Sequence, residues 1–268
     1  MYEKFYGLNE KPFNVTPDTK FFFPSEKHEE ALNSLIFAII ERKGFVVITG
    51  EIGSGKTTVW HVLLKRLVRG TKIALITNTH LTPKQIIMAI LDEFEVPFKD
   101  NASKIKLMSL LNKFLIEQIS LGINVVVIID EAQNLSISAL EEVRMLSNLE
   151  TEKEKLIQVI LLGQPELRDK LKKKEMEQLR QRIAVYYHIL PLDKEETKNY
   201  INHRLKLAGA NGKVIFDNEA VEKIYFYSRG TPRKINTLCD RALLTGFIKE
   251  ATIINKYIVD ESASDIGI

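Results

Sequence analysis

Residues 50–58, Gly-Glu-Ile-Gly-Ser-Gly-Lys-Thr-Thr, follow the apolar run 45–49 and satisfy the spacing G-x-x-x-x-G-K-[ST]. That spacing serves phosphate. Gly50, Gly53 and Gly55 permit a tight turn whose backbone N–H groups face inward at the start of a helix. Ser54 and Thr58 belong to the same cradle. Lys56 is placed to reach the terminal phosphates, and the Thr57 hydroxyl is suited to ligate Mg2+. Val59, Val62, Leu63 and Leu67 then form a helical stripe, so the motif lies between a strand and a helix, as the chemistry requires. The expected ligands are a nucleoside triphosphate and Mg2+.

A second chemical group closes the run Val125-Val-Val-Ile-Ile129, which is apolar on both faces and therefore reads as a central parallel strand. Its carboxyl end carries Asp130 and Glu131, at the sheet edge where ligands bind in such folds. Asp130 suits holding Mg2+ through its water shell, and Glu131 suits polarising a water for attack on the γ-phosphate. A water-activating carboxylate favours hydrolysis over transfer to another acceptor. The sequence contains no N-K-x-D guanine signature, which favours ATP over GTP.

Three further positions complete the candidate set. Gln164, in Gly163-Gln-Pro-Glu-Leu167, follows the next apolar run and offers an amide that could orient the attacking water. Pro165 also makes this a helix-initiating turn, and the two readings are compatible. Arg233 projects from the positive end of a helix with Thr231 as its expected N-cap and Pro232 as its first residue, placed either for a phosphate or for a local carboxylate. In Leu179-Arg-Gln-Arg-Ile183, Arg180 and Arg182 point in different directions on a helix. One of them, with Arg182 preferred, could reach a neighbouring subunit's γ-phosphate as an arginine finger.

These groups need a scaffold. Apolar runs at 45–50, 72–78, 123–130, 156–163 and 183–190 predict five strands, and helical periodicities at about 56–69, 83–94, 103–121 and 136–149, with short helices across 165–181, lie between them. Alternating strands and helices predict a parallel α/β sheet. Ser25 is expected to cap a helix running to about Arg42, after an aromatic-rich lead-in at 1–24. Beyond Pro191 the pattern predicts helices only, at about 193–208, 217–228, 231–249 and 255–264. Two domains are expected: an α/β domain at 1–190 that includes the lead-in, and a helical lid at 191–268.

The chain has 268 residues, 45% of them hydrophobic, a net charge of +3 and one cysteine, Cys239. A sizeable core is affordable, an internal disulfide is excluded, and composition announces neither a nucleic-acid binder nor a membrane-surface protein. No run of about 20 apolar residues is present and the N-terminus lacks a signal-like apolar segment, so the expected location is the cytoplasm, peripheral at the inner membrane only through a partner. Arg168, Lys170, Lys172, Lys173 and Lys174 form a local basic series, read either as a solvated helix end or, repeated around an oligomer, as a non-specific DNA-binding face.

The whole constellation resembles the AAA+ superfamily, and within it the ExeA/GspA-type ATPases of bacterial secretion and pilus assembly. The resemblance is carried by Phe5-Tyr-Gly-Leu8, Pro12-Phe13, Thr16-Pro-Asp18, Ser25 with His28 and Glu30-Ala-Leu32, GEIGSGKTT, Asp130-Glu-Ala-Gln133, Gly163-Gln-Pro-Glu-Leu167, Gln181-Arg-Ile183 and Gly230-Thr-Pro-Arg233. It implies an Mg2+-dependent ATP hydrolase with Lys56 and Thr57 as Walker A, Asp130 and Glu131 as Walker B, Gln164 as sensor 1, Arg182 as finger and Arg233 as sensor 2. It also implies a homo-oligomer, and a lead-in that helps enclose adenine. Secretion members of this type usually carry a transmembrane segment and a peptidoglycan-binding domain after the ATPase, so the expectation for a sequence ending at Ile268 is the ATPase module alone, either as a shorter family member or with a separate membrane or secretion partner. The module also resembles ATPases that regulate transposition, in which ATP-bound oligomers assemble on DNA, the alternative being a nucleotide-gated binding module.

Overall fold

The computed structural model describes residues 1–16, 18–66, 70–151 and 154–268; Pro17 of the lead-in motif and Leu67 of the helical stripe lie outside the described residues. Among these residues two compact units form. One comprises 30–50 and 59–189, the other 1–29, 51–58 and 190–268.

The first unit is built on five parallel strands in the order β2-β3-β4-β1-β5, where β1 is Phe45–Gly50, β2 Thr71–Ile76, β3 Asn124–Ile129, β4 Gln158–Gly163 and β5 Ile183–Ile189. The three inner strands are buried nearly throughout, because helices cover both faces of a parallel sheet. β2 and β5 stand at the edges and show mixed burial. The connecting helices are α4 (Pro83–Glu93), α5 (Lys104–Ser120), α6 (Ile137–Leu146), α7 (Pro165–Lys172) and α8 (Glu177–Arg180). Ser103, Ser136 and Thr82 supply side-chain caps to orphan N–H groups at three of their N-termini. α2 (Glu26–Ile40) precedes β1, with Ser25 Oγ accepting the His28 N–H at 3.3 Å as the expected cap, and α3 (Lys56–Arg66) follows it.

The second unit contains α1 (Tyr2–Tyr6), α9 (Lys194–Leu207), α10 (Asn218–Ser228), α11 (Pro232–Ile248) and α12 (Lys256–Asp265). It differs from the sequence expectation in two ways. A short parallel pair, β6 (Ile215–Phe216) with β7 (Ile253–Ile254), interrupts the helices. Two residues per strand are too few for an alternating pattern to register in the sequence.

The lead-in, expected with the sheet, also lies in this unit's core instead. Tyr2, Tyr6, Leu8, Phe13 and Phe21 pack with Leu192, Tyr200, Ile201, Leu238 and Leu243. Arg204 fixes it there: Nε donates to Pro12 O at 2.5 Å, Nη2 donates to Asn14 O at 3.3 Å, and the guanidinium lies 4.8 Å from the Phe21 ring centroid. An aromatic-rich composition says that a segment will be buried, not which core it joins. Cys239 is fully buried in the same cluster, and burial pushes its thiol well above the ordinary range, as expected of an inert core cysteine.

Candidate functional site

The phosphate loop begins at Gly50, the last residue of β1, and ends in the first turn of α3. Its strained geometry needs glycine. Gly53 has φ +78° and Gly55 φ +101°, a region where a Cβ is unfavourable. Space is closed as well: a Cβ on Gly53 would lie 2.4 Å from Arg233 Cβ, and one on Gly55 would lie 2.7 Å from His28 Nε2. Lys56 is buried, and its ammonium donates across the loop to Glu51 O at 3.0 Å. The Ser54 hydroxyl is buried without a hydrogen-bond partner, a polar group that fits a loop shaped to receive phosphate oxygens.

Two side chains from the same unit brace the loop. Arg233 donates its backbone N–H to Gly53 O at 3.2 Å and lays its aliphatic stem against Gly53. Thr231 stands at the N-cap position of α11 as expected, but its hydroxyl makes no capping bond; Pro232 is at the helix start. The positive end of α11 therefore adjoins the loop.

His28 is the brace that sequence reasoning assigned no task. Its Nε2 donates to Ser54 O at 2.9 Å, so Nδ1 is the acceptor for the Ser25 hydroxyl at 2.6 Å. Burial lowers the His28 pKa, which keeps the ring neutral in this tautomer. The signal was present only as Ser25 and His28 three residues apart at a helix start; nothing in the spacing named Ser54 as the partner.

The acidic edge belongs to the sheet unit. β3 and β4 are neighbours, paired Ile129 to Leu161, and β4 in turn pairs with β1, Gly163 to Thr49. Gln164 thus follows the strand beside Asp130. Asp130 is buried, and its Oδ1 accepts the Glu131 N–H at 2.9 Å. Glu131 holds a left-handed backbone, φ 52° and ψ 38°, which costs a non-glycine residue about 1 kcal/mol or more and concentrates at functional sites. Its Oε2 accepts Gln164 Nε2–H at 2.9 Å and Gln133 Nε2–H at 2.5 Å. Pro165 starts α7 with Gln164 as N-cap, so the helix-initiating and amide-donating readings of Gln164 coexist.

The basic candidates separate by what they bind. Arg180 donates Nη1 to Leu171 O and Lys172 O at 3.3 and 3.2 Å, satisfying the carboxyl end of α7. Arg182, half-buried in the turn immediately before β5, donates Nη1 to Ser147 Oγ at 2.9 Å. Lys170 is drawn out of the surface series, its ammonium serving Gln133 O and Leu135 O, and Lys172 pairs with Asp169 at 3.1 Å. Arg168, Lys173 and Lys174 remain exposed.

Among the described residues no three His, Cys, Asp or Glu side chains gather to hold a metal unaided. Mg2+ carried by a nucleotide needs no such cage, since one or two protein oxygens suffice beside phosphates and water. The Thr57 hydroxyl and the buried Asp130 carboxylate are oxygen donors of that class. No helix among the described residues is long and apolar enough to cross a membrane.

Residues 39–171 match the family described as AAA domain. General secretion pathway protein A of Aeromonas hydrophila is 43% identical over 249 residues, which is 93% of this chain and 45% of that protein. The chain therefore spans less than half of that relative. Among solved structures, Cdc6p from Pyrobaculum aerophilum superposes with a TM-score of 0.70 at 18% identity, covering 92% of this chain and 71% of the other. Drosophila ORC bound to DNA gives 0.72 at 17% identity, covering 100% and 66%. At such identities the structural likeness speaks to fold alone.

Proposed function

Because the chain belongs to the AAA+ ATPases, we propose that its ATP hydrolysis runs through Lys56 and Thr57 on the phosphate loop, Asp130 and Glu131 at the end of β3, and Gln164 at the end of β4. The observation that carries this reading is the Glu131 carboxylate, on a left-handed backbone and anchored through Oε2 by the Gln164 amide at 2.9 Å. A carboxylate so fixed accepts the proton of a water as that water attacks phosphorus, and Gln164 orients the reactants. The loop N–H groups and Lys56 hold the phosphates, and the cation of Arg233, at the positive end of α11, faces the same charge. Mg2+, held through Thr57 and the Asp130 water shell, supplies electrostatic stabilisation of the phosphates when bound.

The working form we propose is a homo-oligomer in which Arg182 completes a neighbour's site and ADP is the product. Its place at an edge strand, with one hydroxyl anchor, supports that role over Arg180, which is committed to α7. The 43% identity to a general secretion pathway protein supports a task in assembling a secretion or pilus machine, with a membrane protein as partner and the cytoplasmic face of the inner membrane as location. The DNA-binding alternative has less support, since Lys170 is engaged within the fold and Lys172 pairs with Asp169 at the surface.

The test uses three variants. Glu131→Gln is expected to bind ATP and retain it, with turnover reduced at least about 100-fold. Near-normal turnover would remove Glu131 from the reaction. Arg182→Ala and Lys56→Ala, each inactive alone, are expected to recover ATPase activity when mixed; no recovery in demonstrated mixed oligomers would overturn the role in trans.

A further inference from the structure

Gln133 lies in the short turn 132–134 immediately after Glu131, and its amide meets two catalytic candidates of the sheet unit, Glu131 and Gln164. The nitrogen donates to Glu131 Oε2 at 2.5 Å, and the oxygen accepts the backbone N–H of Gln164 at 3.0 Å. Its own carbonyl is held by the Lys170 ammonium, which also binds Leu135 O at 2.6 Å. Room for this amide depends on Gly163, where a Cβ would lie 3.1 Å from Gln133 Oε1 and 2.7 Å from Leu167 Cδ2. One side chain thus spans the ends of β3 and β4.

Two donors on a single carboxylate oxygen do what one cannot. The Gln164 amide alone leaves the Glu131 carboxyl group able to rotate about its last torsion, a broad and soft degree of freedom. A second N–H on the same oxygen, delivered from a different element, fixes the carboxylate plane and hence the direction in which it meets water. The same amide ties the Gln164 backbone to that plane, so base and water-orienting amide keep one relative placement.

We propose that Gln133 is a positioning residue for hydrolysis, acting through Glu131 and Gln164. This rests on the reading of Glu131 as the water-activating group. A role confined to packing, or to satisfying the backbone N–H of Gln164 at the N-cap of α7, would affect stability and leave turnover per folded molecule intact.

Gln133→Glu separates these roles, because it keeps an oxygen for the Gln164 N–H while replacing the donor that faces Glu131 with an acceptor. Gln133→Met keeps the volume and removes both bonds. Steady-state ATP hydrolysis, with thermal unfolding measured beside it, is expected to show kcat lowered roughly 10-fold or more in both variants. KM is expected to stay within about twofold of the parent. Folded Gln133→Glu with parental or raised kcat would overturn the proposal, as would a fall confined to KM. If Gln133→Met fails to fold, Gln133→Glu decides alone. Activity lost in Glu131→Gln but kept in Gln133→Glu refutes this inference and leaves the wider reading standing, whereas activity kept in both refutes the two together.

Discussion

The phosphate loop and the acidic edge solve opposite problems of precision. The loop presents backbone N–H groups, so its accuracy depends on main-chain conformation, and its braces act on main-chain atoms: His28 on Ser54 O and Arg233 on Gly53 O. The acidic edge presents a side chain, and its braces act on a carboxylate oxygen, through the amides of Gln133 and Gln164. A binding surface made of backbone is damaged by a change of conformation. A catalytic carboxylate is damaged by a change of neighbour, which can leave binding untouched.

The largest expected separation comes from Gly53→Ala. Positive φ and a Cβ only 2.4 Å from Arg233 Cβ both oppose it, so nucleotide affinity is expected to fall about 10- to 100-fold while the sheet unit stays folded. Titration with a fluorescent ATP analogue measures this, and the single tryptophan, Trp60, buried and stacked on His61 at 3.7 Å, offers a check on the fold around α3. Unchanged affinity would mean that the loop tolerates a different backbone.

His28→Ala comes next. It leaves Ser54 O without its buried partner, at a cost of about 1–3 kcal/mol, so KM for ATP is expected to rise about tenfold with kcat at saturation preserved. A fall in kcat with KM unchanged would blur the distinction between the two regions.

The smallest effect is a pH dependence. His28 has its pKa lowered by burial, so the unfolded chain takes up this proton first as pH falls. The stability is fully present above the unfolded value near 6.5 and declines as pH falls toward the lower folded value. Melting temperatures compared across that window are expected to drop less steeply in His28→Gln than in the parent, and equal slopes would show that His28 titrates normally. His61 and His203 are shifted the same way by burial, so the comparison must be made against the parent.

The same contrast explains what could be read from the chain. The loop and the pair Asp130-Glu131 are contiguous in sequence, and their chemistry dictates their spacing, so they were legible at once. Gln164 became meaningful with the strand order, since only β3 beside β4 brings it to Glu131. Gln133 stood in view two residues from Glu131, yet its use depends on a turn with left-handed backbone and on the absence of a side chain at Gly163. His28 and Ser54 are 26 residues apart and meet only in the fold. The lead-in was legible as buried but not as a component of the helical unit, because its contacts lie in the last third of the chain.

That last arrangement bears on the order of events at the ribosome. Tyr6 leaves the exit tunnel well before the residues whose carbonyls its hydroxyl binds, Leu243 and Ala251. At about 5–20 residues per second the lead-in waits on the order of ten seconds or more for those partners, its aromatic side chains uncovered while the sheet unit is completed. These aromatic side chains are thus translated long before the residues that bury them, and stay uncovered in the interval.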